Sequence, residues 1–249
     1  MTAAPKTATL PRPRAEDAFL RGARTPRRTA AVLRALVCAA AVCGLTIELA
    51  TTDAPLELLS RFTFQANLLT AGVFGWSAFR SWTGRGPAAP HLTGGVLLVA
   101  VIIGLAYHLI LTDNSFGYSA DGTPAAPATG ARAVSGPLLH TVLPVAVTLD
   151  WLLLTPARTL RLRFLPLWLF SALTYLGFVL ARGTLLSPGA GPRYPYPFLD
   201  VDTYGFSEVL AHAFALSLLL VVLATLLIAL DHVRPRPRHR LRHRTGPRR

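Results

Sequence analysis

The run GPLLHTVLPVAVTLDWLLL, from Gly136 to Leu154, decides the fold. At ~1.5 Å per helical residue it is long enough to cross a hydrocarbon core of ~30 Å. Its composition is that of a membrane span, yet His140 stands inside it and Pro144 follows four residues later. Proline has no N–H, so the helical bond back to the His140 carbonyl cannot form. A titratable ring therefore sits beside a freed backbone acceptor. Polar groups at that depth are costly and mark sites of pairing or of function. A proline kink in such a helix is also satisfied by neighbouring helices, so both readings stand on this stretch alone.

Outward from it, the same pattern recurs. The chain has 249 residues, 52% hydrophobic and only 15% charged, which is too apolar for an ordinary soluble domain. The apolar residues lie in runs of about twenty, a membrane signature. The formal net charge of +13 sits mostly outside those runs, on tails and short loops, where it is a topology signal. No folded nucleic-acid-reading module accompanies it, so no nucleic-acid partner is expected. The basic tail HVRPRPRHRLRHRTGPRR suits contact with anionic membrane lipid. Cys38 and Cys43 both fall in the first apolar run, which suggests neither a disulfide framework nor a metal site. A single Lys against many Arg, with abundant Ala and Pro, suggests a GC-rich bacterial genome.

Six spans are expected, at about 29–50, 61–79, 92–111, 136–154, 164–181 and 206–230. They form one transmembrane domain over 29–230, between a disordered basic tail at 1–28 and a basic C-terminal tail at 231–249. Arg34, near the start of span one, is placed to snorkel toward the headgroups. Ala40 and Gly44 have the small-residue spacing that allows close helix contact. Arg80, Arg85, Arg158, Arg161 and Arg163 lie in the loops on the side of the basic tails, while Asp53, Glu57, Asp113, Asp121, Asp200 and Asp202 lie opposite. Arg61, Arg132, Arg182 and Arg193 are the exceptions, and by the positive-inside rule both termini are cytoplasmic. The expectation is an all-α polytopic bundle of six transmembrane helices in the bacterial cytoplasmic membrane.

With that topology, depth follows from sequence. Thr63 and Asn67 in span two, His108 in span three, His140 in span four, and Glu208 and His212 in span six all fall in one layer beneath the outer surface. Glu48 closes the outer end of span one. The cytoplasmic half is nearly pure Leu, Val and Ala apart from Asp150. Thr63/Asn67 and Glu208/His212 are i, i+4 pairs, each sharing one helix face. An outward-opening polar cavity between spans two, three, four and six is the expectation, with a plain network of interhelical hydrogen bonds as the alternative. A Thr hydroxyl becomes a nucleophile when a neutral His takes its proton, and Thr63 with His140 could form such a pair, Asn67 orienting a water or a carbonyl. His108, His140, His212 and Glu208 are ligand types that suit zinc, but their spacing matches no metal motif. Neither a metal nor a cofactor is expected. Glu208 and His212 also suit proton-coupled transport, although no repeated half accompanies them.

The fragments FTFQANLL (Phe62 to Leu69), LLHTVLP (Leu138 to Pro144), Asp150-Trp151 and YPYPFLD (Tyr194 to Asp200) together resemble the androgen-induced-gene-like six-helix membrane proteins, in their bacterial branch. The resemblance covers all six spans and leaves out the tails. It implies hydrolysis of a fatty-acid ester, with Thr63 as nucleophile and His140 as base. Ala66 stands where the bacterial pattern often has Ser, and the acidic residue of the animal proteins has no counterpart at Ala66 or Asn67. YPYPFLD must be extended before each proline. It suits either a lid over the outer layer or an interfacial anchor.

The function expected from sequence is thus a Thr/His hydrolase of a lipid ester, with Asn67, His108, Glu208 and His212 supporting. Its alternatives are a non-catalytic protein that binds lipid or a membrane partner, and a small proton-coupled carrier.

Overall fold

The computed structural model of the chain describes residues 15–111, 130–187 and 193–235, with 15–27 described by backbone alone. Most of the two basic tails and the loop that carries Asp113 and Asp121 lie outside the described residues. Among the described residues there is no strand. The helices are α1 (Ala15–Thr51), α2 (Pro55–Ser60), α3 (Phe62–Trp82), α4 (Pro90–Ala106), α5 (Arg132–Leu154), α6 (Leu165–Leu185), α7 (Val201–Tyr204) and α8 (Phe206–Val233).

Among the described residues, five helical stretches are long and apolar enough to cross a membrane: Arg28–Thr51, Pro90–Leu109, Arg132–Leu154, Leu162–Leu185 and Phe206–Val233. The α3 helix has 21 residues, about 31 Å at ~1.5 Å per residue. It is less apolar because it turns Asn67, Thr70, Ser77 and Ser81 into the bundle, each buried.

Three places leave the α-helical path. Tyr107–Leu111 at the end of α4, and Leu138–Val142 and Asp150–Leu154 within α5, are single π turns. The second has a legible cause. Pro144 cannot donate to the His140 carbonyl, and the widened turn just before it carries an N–H of Leu143 to the Leu138 carbonyl instead. Neighbouring packing then covers the kink: a Cβ on Gly104 would stand 3.1 Å from the Pro144 Cβ.

The main core joins α1, α3, α4 and α5 through Val37, Ala41, Phe74, Leu97, Leu143 and Val147, with Trp168 of α6 and Leu227 and Ile228 of α8 added at one end. Burial of each large side chain contributes about 1.5–3 kcal/mol in water, but against lipid the packing itself must do the holding. Close approach is therefore valuable. A Cβ on Gly44 would meet Leu139 Cδ2 at 2.5 Å, so only glycine lets α5 seat on α1, as the small-residue spacing predicts. A second, smaller core lies at the other end. Val179 of α6 and Val209 of α8 enclose Tyr194 and Leu199 of the YPYPFLD segment.

The end that holds the chain's N-terminal side of α1 is not a purely apolar half. Arg34 is 2% exposed, where snorkelling was expected. Its Nε donates to Asp150 Oδ1 at 2.8 Å and its Nη1 to Ser81 Oγ at 2.6 Å. Thr155 Oγ1 adds a bond to Asp150 Oδ2 at 3.1 Å. Snorkelling fails because Asp150, 116 residues away, offers a fixed counter-charge in reach. Beside this pair Asp231 is wholly buried within the last turn of α8 and is not part of the basic tail expected from 231 onward. It accepts from Trp151 Nε1 at 3.1 Å, from the backbone N–H groups of Thr159 and Leu160 at 2.7 and 2.9 Å, and from Arg234 at 2.8 Å. The guanidinium of Arg234 lies over the Trp151 ring, 4.4 Å from its centroid. One carboxylate thus clasps the ends of α5 and α8 to the turn before α6.

Candidate functional site

At the opposite end the polar residues separate into two clusters. The first is built on α1, α5 and the end of α4. His140 donates from Nδ1 to the Gly136 carbonyl at 2.9 Å. A carbonyl only accepts, so the proton sits on Nδ1 and the neutral ring presents its lone pair at Nε2. The ring stacks on Tyr107, centroids 5.0 Å apart and planes 24° from parallel. Tyr107 in turn meets His108 edge-on at 5.2 Å, and His108 Nε2 lies 3.0 Å from Thr141 Oγ1. Ser135 donates to Glu48 Oε1, so the acid that closes α1 is tied to the start of α5.

The second cluster is built on the start of α3, the outer part of α6 and the YPYPFLD segment. The Tyr196 phenol lies against the Thr63 hydroxyl and the neighbouring backbone. The Tyr175 phenol donates to the Ser60 carbonyl at 3.1 Å, and its ring meets Phe62 edge-on at 5.2 Å. Burial holds the Tyr196 phenol above its ordinary value, with the Thr63 contacts and Arg61 pulling the other way. The segment is strapped down by Arg193. Its guanidinium grips the Gly183 carbonyl and the Asp202 carboxylate, the latter at 2.7 and 2.9 Å. The Tyr194 ring lies directly on Gly183, where any Cβ would collide with it. This is the arrangement of a cover seated over the start of α3.

Thr63 and His140 thus belong to different clusters and are not hydrogen-bonded to one another. One turn beyond Thr63, Asn67 is 3% exposed and its Nδ2 has no hydrogen-bond partner. Leaving such a donor unmade costs about 1–3 kcal/mol. His212 donates from Nδ1 to the Phe198 carbonyl at 3.0 Å and meets Tyr204 edge-on at 5.4 Å. Glu208 is exposed and makes no hydrogen bond among the described residues, so it and His212 share a helix face without pairing. Among the described residues no three His, Cys, Asp or Glu side chains converge as a metal would need.

Cavities among the described residues lie elsewhere. One is a nearly closed void with room for about 10 Å³ beside Asp150, Thr93 and Thr155, the space of about one water. The other is an open groove of about 550 Å³ along the outward face of α3, lined by Gln65, Leu68, Leu69, Gly72, Val73 and Trp76, with Leu92 of α4. It is apolar and faces where lipid would lie.

Sequence reasoning singled out six residues for this end, read Tyr196 in the YPYPFLD segment as part of a lid or an interfacial anchor, and missed Tyr107, Ser135 and Thr141. A signal existed for two of them. Tyr107 and Thr141 each adjoin a histidine in sequence, and π turns, which recur at functional sites, put adjoining residues on usable faces. Comparison with family models, with curated proteins and with solved structures finds no match to this chain.

Proposed function

We propose that the chain crosses the bacterial cytoplasmic membrane six times, α3 included, with both termini cytoplasmic, and that its outer layer hydrolyses a lipid ester. The basic loops on the side of the tails and the acidic loops opposite support the orientation. The observation that carries the activity is His140: Gly136 orients its ring so that Nε2 is a free base, and Tyr107 holds the ring plane. A base oriented by a third group is what an activated hydroxyl requires. Thr63 is the nucleophile that the androgen-induced-gene-like resemblance implies. Asn67, on the same face of α3, is the buried donor that a substrate carbonyl would satisfy. Reaction on this pair requires Thr63 to leave Tyr196 and approach His140.

A second reading, lipid binding without chemistry, is favoured by the Tyr196 phenol occupying the Thr63 hydroxyl and by the apolar groove on α3. Labelling of the purified protein in lipid with a fluorophosphonate separates the two. An adduct on Thr63 in wild type, mapped by peptide mass spectrometry and lost in both Thr63→Ala and His140→Ala, is the expected result. A Thr63 adduct that survives His140→Ala overturns the base assignment, and no adduct on folded protein leaves binding as the function. For orientation, a cysteine placed at Asp53 reacts with an impermeant maleimide from outside, and one at Gly84 does not.

A further inference from the structure

The hydroxyl that already rests beside an imidazole is that of Thr141, not Thr63. Helical threonines ordinarily donate to their own backbone: Thr46, Thr70, Thr148, Thr174 and Thr225 each bond the carbonyl four residues back at 2.8 Å. Thr141 makes no such bond among the described residues, and its Oγ1 reaches across to His108 Nε2 at 3.0 Å. With no carbonyl to receive it, the hydroxyl proton is directed at the ring nitrogen in the tautomer that leaves Nε2 unprotonated. Both residues lie in π turns, Tyr107–Leu111 and Leu138–Val142. Below them the approach of Gly104 to Pro144 keeps the two helices close. Tyr107, perpendicular to the His108 ring at 88°, fixes that ring's plane. His108 is exposed and Thr141 half-buried, so a substrate can reach the pair without displacing the YPYPFLD cover.

We propose that Thr141 and His108 form a second nucleophile–base pair, one that accepts the acyl group of a lipid ester. This rests on the lipid-ester reading above and differs from it in the residues. Thr141 Oγ1 attacks the ester carbonyl carbon while His108 Nε2 takes the hydroxyl proton. The carbon–oxygen bond to the alcohol breaks, and the imidazolium returns the proton to the departing oxygen, leaving an acyl-threonine. A water then attacks that acyl carbon, giving its proton to Nε2. The carboxylic acid leaves as Oγ1 recovers a proton, so ester and water become alcohol and acid.

The test uses the full chain in lipid bilayer discs, labelled with a fluorophosphonate and mapped by peptide mass spectrometry. The expected result is an adduct on Thr141, absent in Thr141→Val and formed at least ~100-fold more slowly in His108→Gln, the lower bound for losing a general base. Gln keeps a hydrogen-bonding group facing Thr141, and an unchanged unfolding midpoint confirms that the variant is folded. Thr148→Val, which alters a threonine bonded to its own backbone, labels like wild type. An adduct confined to Thr63 overturns this pair and upholds the preceding one. Wild-type labelling in His108→Gln, or no adduct on folded protein, also overturns it.

Discussion

The two ends of this bundle spend polar residues in opposite ways. At the Arg34 end, one guanidinium and two carboxylates are buried and hydrogen-bonded to one another or to neighbouring groups, and the Nε of the adjoining Arg234 is the buried donor there left without a partner among the described residues. At the Thr63 end, Asn67 is buried with an unmatched amide, His140 and His212 each show a free Nε2, and His108 and Glu208 are exposed. A network whose charged groups are paired with one another serves to hold a fold together. Unmatched groups in an apolar setting lower stability and stay worthwhile only where something else comes to match them. The difference separates clasp from site without reference to any relative.

The largest test of that contrast is to cut the clasp. Arg34→Leu leaves Asp150 charged, buried and unpaired, which costs about 3–5 kcal/mol. The unfolding midpoint in mild detergent should collapse, and the double variant Arg34→Leu/Asp150→Leu should recover much of the loss. If the single variant keeps its midpoint, the pair is ornamental and the contrast between the ends fails. Asp231→Ala comes next. It strips acceptors from Thr159, Leu160 and Trp151 at once, and unsatisfied buried donors cost about 1–3 kcal/mol each. Its expected phenotype is a bundle in which α8 protects poorly against hydrogen exchange near its C-terminal end while α1 and α3 remain protected.

Why the clasp escaped sequence reasoning is instructive. Hydropathy found the helices, because runs of Leu and Val long enough to span are visible without any tertiary knowledge. It also located Asp150 at the correct end, and the Ala40/Gly44 spacing foretold a close helix contact that the Gly44–Leu139 packing provides. Pairing was beyond it. Arg34 and Asp150 are 116 residues apart, and an arginine near a span's end is equally at home among headgroups. Asp231 lies just past the last apolar run, in a setting that resembles a tail until the turn before α6 folds back over it. At the other end, depth placed Thr63, Asn67, His108 and His140 in one layer, but depth says nothing of azimuth. Which residues of a layer meet is decided by helix rotation, and the π turns, only one of which has a proline to announce it, alter that rotation locally.

A smaller change sharpens the comparison from the other side. Asn67→Leu replaces an unmatched buried amide by an apolar side chain of similar size, and should stabilise the bundle by about 1 kcal/mol, the opposite sign to every substitution in the clasp. Stabilisation accompanied by loss of fluorophosphonate labelling at Thr63 is the expected pairing, since groups strained for function commonly cost stability. A destabilised Asn67→Leu would mean that the amide is matched after all, and would move this residue from the site to the scaffold.

The smallest effect concerns the cover. Burial raises the Tyr196 phenol above its ordinary value of 10.0, so the folded chain keeps that proton at a pH where the unfolded chain has lost it. The sign follows from linkage: the stability this group contributes is fully present below about pH 10 and drains away as the pH climbs through the raised folded value. Wild type should therefore lose its advantage over Tyr196→Phe above about pH 10, by at most about 1.4 kcal/mol per pH unit. Unfolding midpoints of the two proteins, taken side be side at pH 8 to 11, measure the gap, and lysis of the detergent-solubilised fold by other ionisations cancels between them. A gap that stays constant with pH would show that the phenol is open to water and that YPYPFLD does not seal the start of α3, leaving Thr63 accessible in the resting state. A gap that closes would mean that any chemistry at Thr63 waits on the cover, while Thr141, outside it, does not.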